Sequence, residues 1–249
     1  MDERDALRLS REVAKNVQKA LNSLPIEERG KFFEIGKSGV TKLADKIAEN
    51  SALEVLRKEN LRILSEECGY IGEGDIFVAL DPLDGTFNAV RGIPFYSISL
   101  CFSTSEKFGD AFFGYVFNLV TGEEYFAGKE AFKNNRPIKV SLQEAFPEMN
   151  AIVYYPKKDL PFKRIRIFGS AALETCLIAE GIFDCFIDLR NMLRIFDIAG
   201  GVFIAERAGA LALDEKAQSL DRKRFELSER VNVVLSNKKV CKKILEMML

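Results

Sequence analysis

The chain has 249 residues, 47% of them hydrophobic, so it can bury a large core as one domain or as two tightly joined lobes. Its 36 Lys+Arg and 37 Asp+Glu nearly cancel, which argues against nucleic acid or an anionic membrane as partner, and it contains no histidine. No apolar stretch approaches the roughly 20 residues that span a bilayer. The charged start Met-Asp-Glu-Arg-Asp lacks a signal-peptide core, and the five cysteines (68, 101, 176, 185, 241) show no CxxC spacing, so reduced thiols in a cytoplasmic protein are expected.

Ala6, Leu9, Val13, Val17, Ala20, Leu21 and Leu24 recur at three- and four-residue steps, predicting an amphipathic helix over about 3–24. A polar segment around Ile35-Gly-Lys-Ser-Gly-Val40 leads to a second helix, about Thr41 to Lys58. Short apolar strands follow at 61–65 and 76–81, each ending in acidic residues. Segments 94–103, 111–119, 122–128 and 136–140 are β-rich with short connections, and read as antiparallel hairpins. Beyond a break near 141–150 the rhythm becomes that of an α/β layer. Strands are expected at 151–155, 164–168, 184–189 and 231–236, and helices at 170–180 and 197–208. The break suggests lobes of roughly 1–145 and 146–249 within a single domain over 1–249.

The strand at 76–81 runs into Asp81-Pro82-Leu83-Asp84-Gly85-Thr86. Two carboxylates, an intervening Leu83 carbonyl and a glycine turn offer hard oxygen donors of the kind Mg²⁺ takes. The amides of Gly85 and Thr86 could meet a phosphate at the start of a following helix. Read alone, the hexapeptide also fits an ordinary surface turn, since its residues dominate turns. Glu66-Glu67 closes the preceding strand, which puts acidic groups at one sheet edge; alone it fits a solvated loop equally well. Asp197 opens an apolar helix and, on residue type, is first of all an N-cap. Asp45, on the second helix, reads by itself as a surface residue.

In their order along the chain, Ser65-Glu66-Glu67-Cys68, Asp81 to Thr86 with Gly92-Ile93-Pro94-Phe95, and Phe196-Asp197-Ile198-Ala199-Gly200 resemble the three signatures of the inositol monophosphatase superfamily. Arg166-Ile-Phe-Gly-Ser-Ala-Ala-Leu-Glu174 resembles the family's glycine-serine helix start, so the likeness covers essentially the whole chain. It is greatest to the compact archaeal-type branch, acting on inositol 1-phosphate and fructose 1,6-bisphosphate. The resemblance implies a layered α-β-α-β-α sandwich of the α+β or α/β class. It also implies a Mg²⁺-dependent, lithium-sensitive phosphomonoesterase with two to three ions per site, Mn²⁺ serving as substitute, in a homodimer.

Carried over by position, the resemblance implies Glu66, Asp81 and the Leu83 carbonyl at a first metal site. Asp81, Asp84 and Asp197 would form a second. Asp45 would lie near a third cation. Glu66, Thr86 and Asp45 would assist a metal-activated water that attacks phosphorus in line, without a covalent intermediate. Phosphate would rest on Asp84, Gly85 and Thr86, with Arg166, Ala171, Asp188 and Arg190 as further substrate contacts. The chain departs from the family at Phe196, which replaces the usual tryptophan, and at Lys42-Leu43, which interrupt the usual threonine-rich approach to Asp45.

Other phosphatase chemistries fit less well. A haloacid-dehalogenase-type enzyme needs D-x-D, whereas the spacing here is D-x-x-D. A cysteine phosphatase needs C-x₅-R, which no cysteine satisfies, and histidine phosphatases are excluded by composition. Within the same metal chemistry, the 2′-phosphate of NADP and 3′-phosphoadenosine nucleotides are alternative substrates. A non-catalytic phosphosugar-binding regulator is a more distant alternative.

Overall fold

The computed structural model describes residues 1–36, 39–156 and 159–248; Lys37 and Ser38 of the polar segment therefore lie outside the described residues. Helix α1 (Glu3–Ser23) begins where the Asp2 carboxylate accepts the amides of Arg4 and Asp5, and Ala6, Leu9, Val13, Val17 and Leu21 form its buried stripe. One turn, α2 (Ile26–Arg29), leads into an antiparallel hairpin of β1 (Phe32–Gly36) and β2 (Gly39–Lys42). Thr41 and Lys42 were expected to begin the second helix but instead end β2. Thr41 donates to the buried Glu67, and Asp45 accepts the Lys42 amide at 3.0 Å, so α3 (Leu43–Leu56) starts after them.

The next segment builds an eight-stranded sheet. Its strands are β3 (Leu61–Ser65), β4 (Gly69–Ile71), β5 (Ile76–Asp84), β6 (Ser97–Ser103), β7 (Ala111–Asn118), β8 (Glu124–Ala127), β9 (Ala131–Lys133) and β10 (Arg136–Pro137). Their spatial order is β10-β9-β8-β7-β6-β5-β3-β4, with β3 and β5 parallel and the other neighbours antiparallel. A short helix, α4 (Thr86–Arg91), leaves the end of β5. The strand expected over 136–140 is only two residues long. Asn134 and Asn135, both left-handed, turn β9 back on β10, and Pro137 has no amide to extend the ladder.

The remainder forms a five-stranded sheet, β12-β11-β13-β15-β14. Its strands are β11 (Asn150–Val153), β12 (Arg164–Arg166), β13 (Cys185–Arg194), β14 (Ala210–Leu213) and β15 (Arg230–Asn237). Helices α5 (Ala171–Ala179) and α6 (Ile195–Arg207) belong to this half, and α7 (Cys241–Met248) closes it. Strand β14 and helix α7 had no counterpart in the periodicity, and β13 runs five residues further than expected, directly into α6.

The layers follow from what each face buries. α1 and α3 cover one face of the eight-stranded sheet through Leu9, Val13, Leu53, Leu56, Val78 and Leu100. α5 and α6 fill the space between the two sheets, with Ala172, Ile198 and Val202 packed among Phe77, Val116 and Phe186. α7 covers the far side of the smaller sheet through Ile244 and Leu245 against Val153 and Val234. The result is the five-layer α-β-α-β-α sandwich of an α+β protein. Gly200 and Gly201 let α6 lie this close: a methyl on Gly200 would stand 2.6 Å from Ser99 Oγ, and one on Gly201 2.7 Å from the Ala172 carbonyl.

Candidate active site

Register brings the first acids together. β3 and β5 run parallel with Ser65 beside Leu80, so the residues that follow, Glu66 and Asp81, lie next to each other at the sheet edge. On its other side β5 pairs with β6, Asp81 opposite Ser99 and Asp84 opposite Ser97. Three steps on β5 thus match two on β6, which is a bulge, and Pro82 sits in it where no ladder amide is required. The bulge re-aims the end of β5, and Asp81 closes it by accepting the Leu83 amide at 3.1 Å.

Asp84 is held from the other half of the chain. It accepts the Ser170 hydroxyl and the Ala171 and Ala172 amides at 3.2 and 2.9 Å, so the first turn of α5 is anchored on this carboxylate. Gly85 follows at φ 87°, and a methyl there would stand 3.1 Å from the Gly169 carbonyl and 3.2 Å from that of Phe95. Thr86 then begins α4. Its hydroxyl donates to Asp45 Oδ1 at 2.7 Å, which brings Asp45 into the site from α3 as a buried residue.

Asp197 arrives from α6. It caps that helix by accepting the Arg194 amide at 2.8 Å, and it faces the Arg194 guanidinium, which also reaches Glu66. Glu66, Asp81, Asp84 and Asp197 therefore gather in one cluster, each within electrostatic reach of another. Burial is the main reason that their carboxyls are harder to ionise than usual. Asp84 is raised to about 6 and Glu66 to about 8, the latter against the pull of Arg194. Asp81 is raised well above the carboxylate range by burial and by the neighbouring Glu66, Asp84 and Asp197. Asp45 is raised too, by burial opposed by its bond from Thr86.

The residues expected to meet substrate divide. Ala171 is buried in the turn that holds Asp84. Arg190 lies over the Tyr154 ring at 4.3 Å, and Asp188 beneath it takes its Nε at 3.0 Å and its Nη2 at 2.6 Å. The carboxylate of Asp188 is thereby turned to Arg190. Arg166 is exposed, and its guanidinium donates to the Ile165 carbonyl at 2.8 Å.

Sequence reading assigned no role to three partners: Ser170 and Glu174, both within the glycine-serine helix start, and Arg194, which it did not single out. Ser170 has a signal, since it occupies the N-cap position of a predicted helix. Arg194 lies three residues before Asp197, one helical turn away. Glu174, fully buried, accepts the Phe168 and Gly169 amides at 2.5 and 3.1 Å and the Tyr154 hydroxyl at 2.7 Å, and so shapes the turn before Ser170.

Among the described residues, no three acidic or thiol side chains stand as a ready metal-holding group. Arg194 is interposed between Glu66 and Asp197, and Asp84 is turned to Ser170 and the α5 amides. The donor set nevertheless suits Mg²⁺, being all oxygen and held on strand ends and helix starts. The four carboxyls oppose one another's ionisation, and a hard cation would favour their charged forms.

A sequence profile described as the Inositol monophosphatase family matches residues 3–247. The chain is 57% identical over 251 residues to the fructose-1,6-bisphosphatase/inositol-1-monophosphatase of Archaeoglobus fulgidus, covering 99% of both chains. It is 32% identical to a bifunctional NADP phosphatase/NAD kinase of Methanococcus maripaludis, covering 96% of this chain and 48% of that one. Among solved structures, one titled inositol monophosphatase-fructose 1,6 bisphosphatase superposes with a TM-score of 0.87 at 33% identity, covering 97% of this chain and 98% of that one.

Proposed function

The chain belongs to the inositol monophosphatase family, and from that we propose that it hydrolyses sugar phosphates, fructose 1,6-bisphosphate at C1 and inositol 1-phosphate, with Mg²⁺ as cofactor. The observation that carries the reading is the clustering of Glu66, Asp81, Asp84 and Asp197, from three separate segments, beside the Gly85-Thr86 turn.

Glu66, Asp81, the Leu83 carbonyl, Asp84 and Asp197 would hold divalent cations. Bound there, these supply charge neutralisation for the phosphoryl oxygens and acidify water near neutral pH. The protein's own groups do the rest. Thr86 spends its proton on Asp45, so its oxygen is left to accept from a water and to aim that water's lone pair at phosphorus. Glu66, beside that water at the end of β3, would be the group to accept its proton once a bound cation keeps the carboxylate ionised. Arg190, braced by Asp188 and Tyr154, presents a cation to the substrate.

A covalent intermediate on sulfur is disfavoured. Burial raises every one of the cysteine thiols; Cys68 goes to about 11 and Cys241 to about 12.

The test is phosphate release from fructose 1,6-bisphosphate, inositol 1-phosphate, NADP and 3′-phosphoadenosine 5′-phosphate, with Mg²⁺ and with EDTA. Mg²⁺-dependent release from the first two supports the reading, and release unaffected by EDTA rejects it. The relative with NADP phosphatase in its name favours NADP as the second candidate. The same assay decides between them.

A further inference from the structure

The Arg194 guanidinium is held by two carboxylates of the acidic cluster. Arg194 Nη2 donates to Glu66 Oε1 and stands 3.2 Å from Asp197 Oδ1, while Nε lies 3.2 and 3.3 Å from the two Asp197 oxygens. The guanidinium carbon rests 4.6 Å from the centre of the Phe196 ring, and the side chain is only 15% exposed. Backbone geometry adds to this, because the Arg194 amide already donates to Asp197 at the start of α6. The oxygens it occupies belong to carboxylates just after β3 and within α6, distant in sequence and proposed above to hold cations.

A Mg²⁺-sized ion needs its oxygen ligands at about 2.0–2.1 Å. Set on the Glu66 and Asp197 oxygens that Arg194 now contacts, such an ion would lie against the guanidinium, where like charges repel strongly in a pocket shielded from water. Both cations cannot keep these oxygens together. We propose that Arg194 is a tethered counter-ion, holding Glu66 and Asp197 while a divalent cation is absent and giving them up when it binds; this rests on the metal reading above. Cation binding is then a competition, and the apparent affinity is reduced by the fraction of molecules in which Arg194 is seated.

Mn²⁺ binding to the metal-stripped full chain, read by EPR of the free ion, tests this in the wild type, Arg194→Gln and Arg194→Lys. Glutamine keeps a donor without the charge, and lysine keeps a charge without the fork. Arg194→Gln is expected to bind Mn²⁺ roughly tenfold more tightly, with Arg194→Lys in between. The unfolding temperature of metal-free Arg194→Gln should fall, and Mn²⁺ should raise it by more than in the wild type. A second readout uses Phe196→Trp, the sole indole in a chain without tryptophan. Its emission should change when Mg²⁺ displaces the guanidinium from the ring, and the change should vanish when Arg194→Gln is added. Equal or weaker Mn²⁺ binding by both Arg194 variants overturns the counter-ion role. Absence of Mn²⁺ binding in the wild type as well overturns the metal reading, and the counter-ion with it.

Discussion

Asp84 accepts one hydroxyl and two helix amides, and it belongs to the pocket only while those donors keep it in place. Asp84→Asn turns an amide donor toward groups that already donate and removes a ligand charge. Its kcat on fructose 1,6-bisphosphate is expected to fall on the order of 10²-fold or more, as when a key electrostatic group is lost. Circular dichroism should show the fold retained. Near-normal turnover at saturating Mg²⁺ would remove Asp84 from the mechanism. At this scale the sequence was informative about residue type and much less so about partners. Asp45 read as a surface residue because nothing in its own helix says that Thr86, forty-one positions on, will donate to it. Arg194 lacked any separate signal, since one arginine a turn before a helix aspartate is ordinary. Its reach to Glu66 exists only once β3 and α6 are neighbours.

The ends of β5 and α6 decide the site as elements. The bulge at Pro82-Leu83 lets one strand contribute Asp81 and Asp84, and α6 can bring Asp197 alongside because Gly200 and Gly201 admit the backbones of β6 and α5. Gly201→Ala puts a methyl 2.0 Å from Thr175 Oγ1 and 2.7 Å from the Ala172 carbonyl. Overpacking of this kind costs about 1–3 kcal/mol, so the unfolding temperature should drop by several degrees. Because α6 must back away from α5, Mg²⁺ affinity is expected to weaken as well. An unchanged melting curve would mean that the contact relaxes freely. The long periodic helices and alternating strands were legible from sequence, as were the hairpin turns. The β1–β2 hairpin was not, because Phe32, Ile35 and Val40 leave apolar side chains in water, against the pattern from which strands are recognised.

Across the whole molecule, several buried carboxyls bind protons more tightly folded than unfolded. Burial lifts Asp84 to about 6, Glu174 and Glu206 to about 7, and Glu66 to about 8. A carboxyl raised in the native state contributes stability below its unfolded value near 4, and that contribution is lost as pH rises through the folded value. Metal-free protein in EDTA should therefore melt at a lower temperature at pH 8 than at pH 5. Saturating Mg²⁺ should raise the melting temperature most at pH 8, where it replaces the missing protons. Thermal unfolding over this range, with and without Mg²⁺, checks both statements. A metal-free melting temperature that climbs from pH 5 to pH 8 contradicts them.

The amino-acid order alone determined the family and the layered architecture, and it pointed to the four acids, because spacing along one chain survives as a local motif. Only the tertiary structure decided which cation those acids already face, which hydroxyl and amides hold Asp84, and that Asp188 braces Arg190. Such pairings depend on sheet register and on helix packing between distant segments, and a linear pattern does not carry that information.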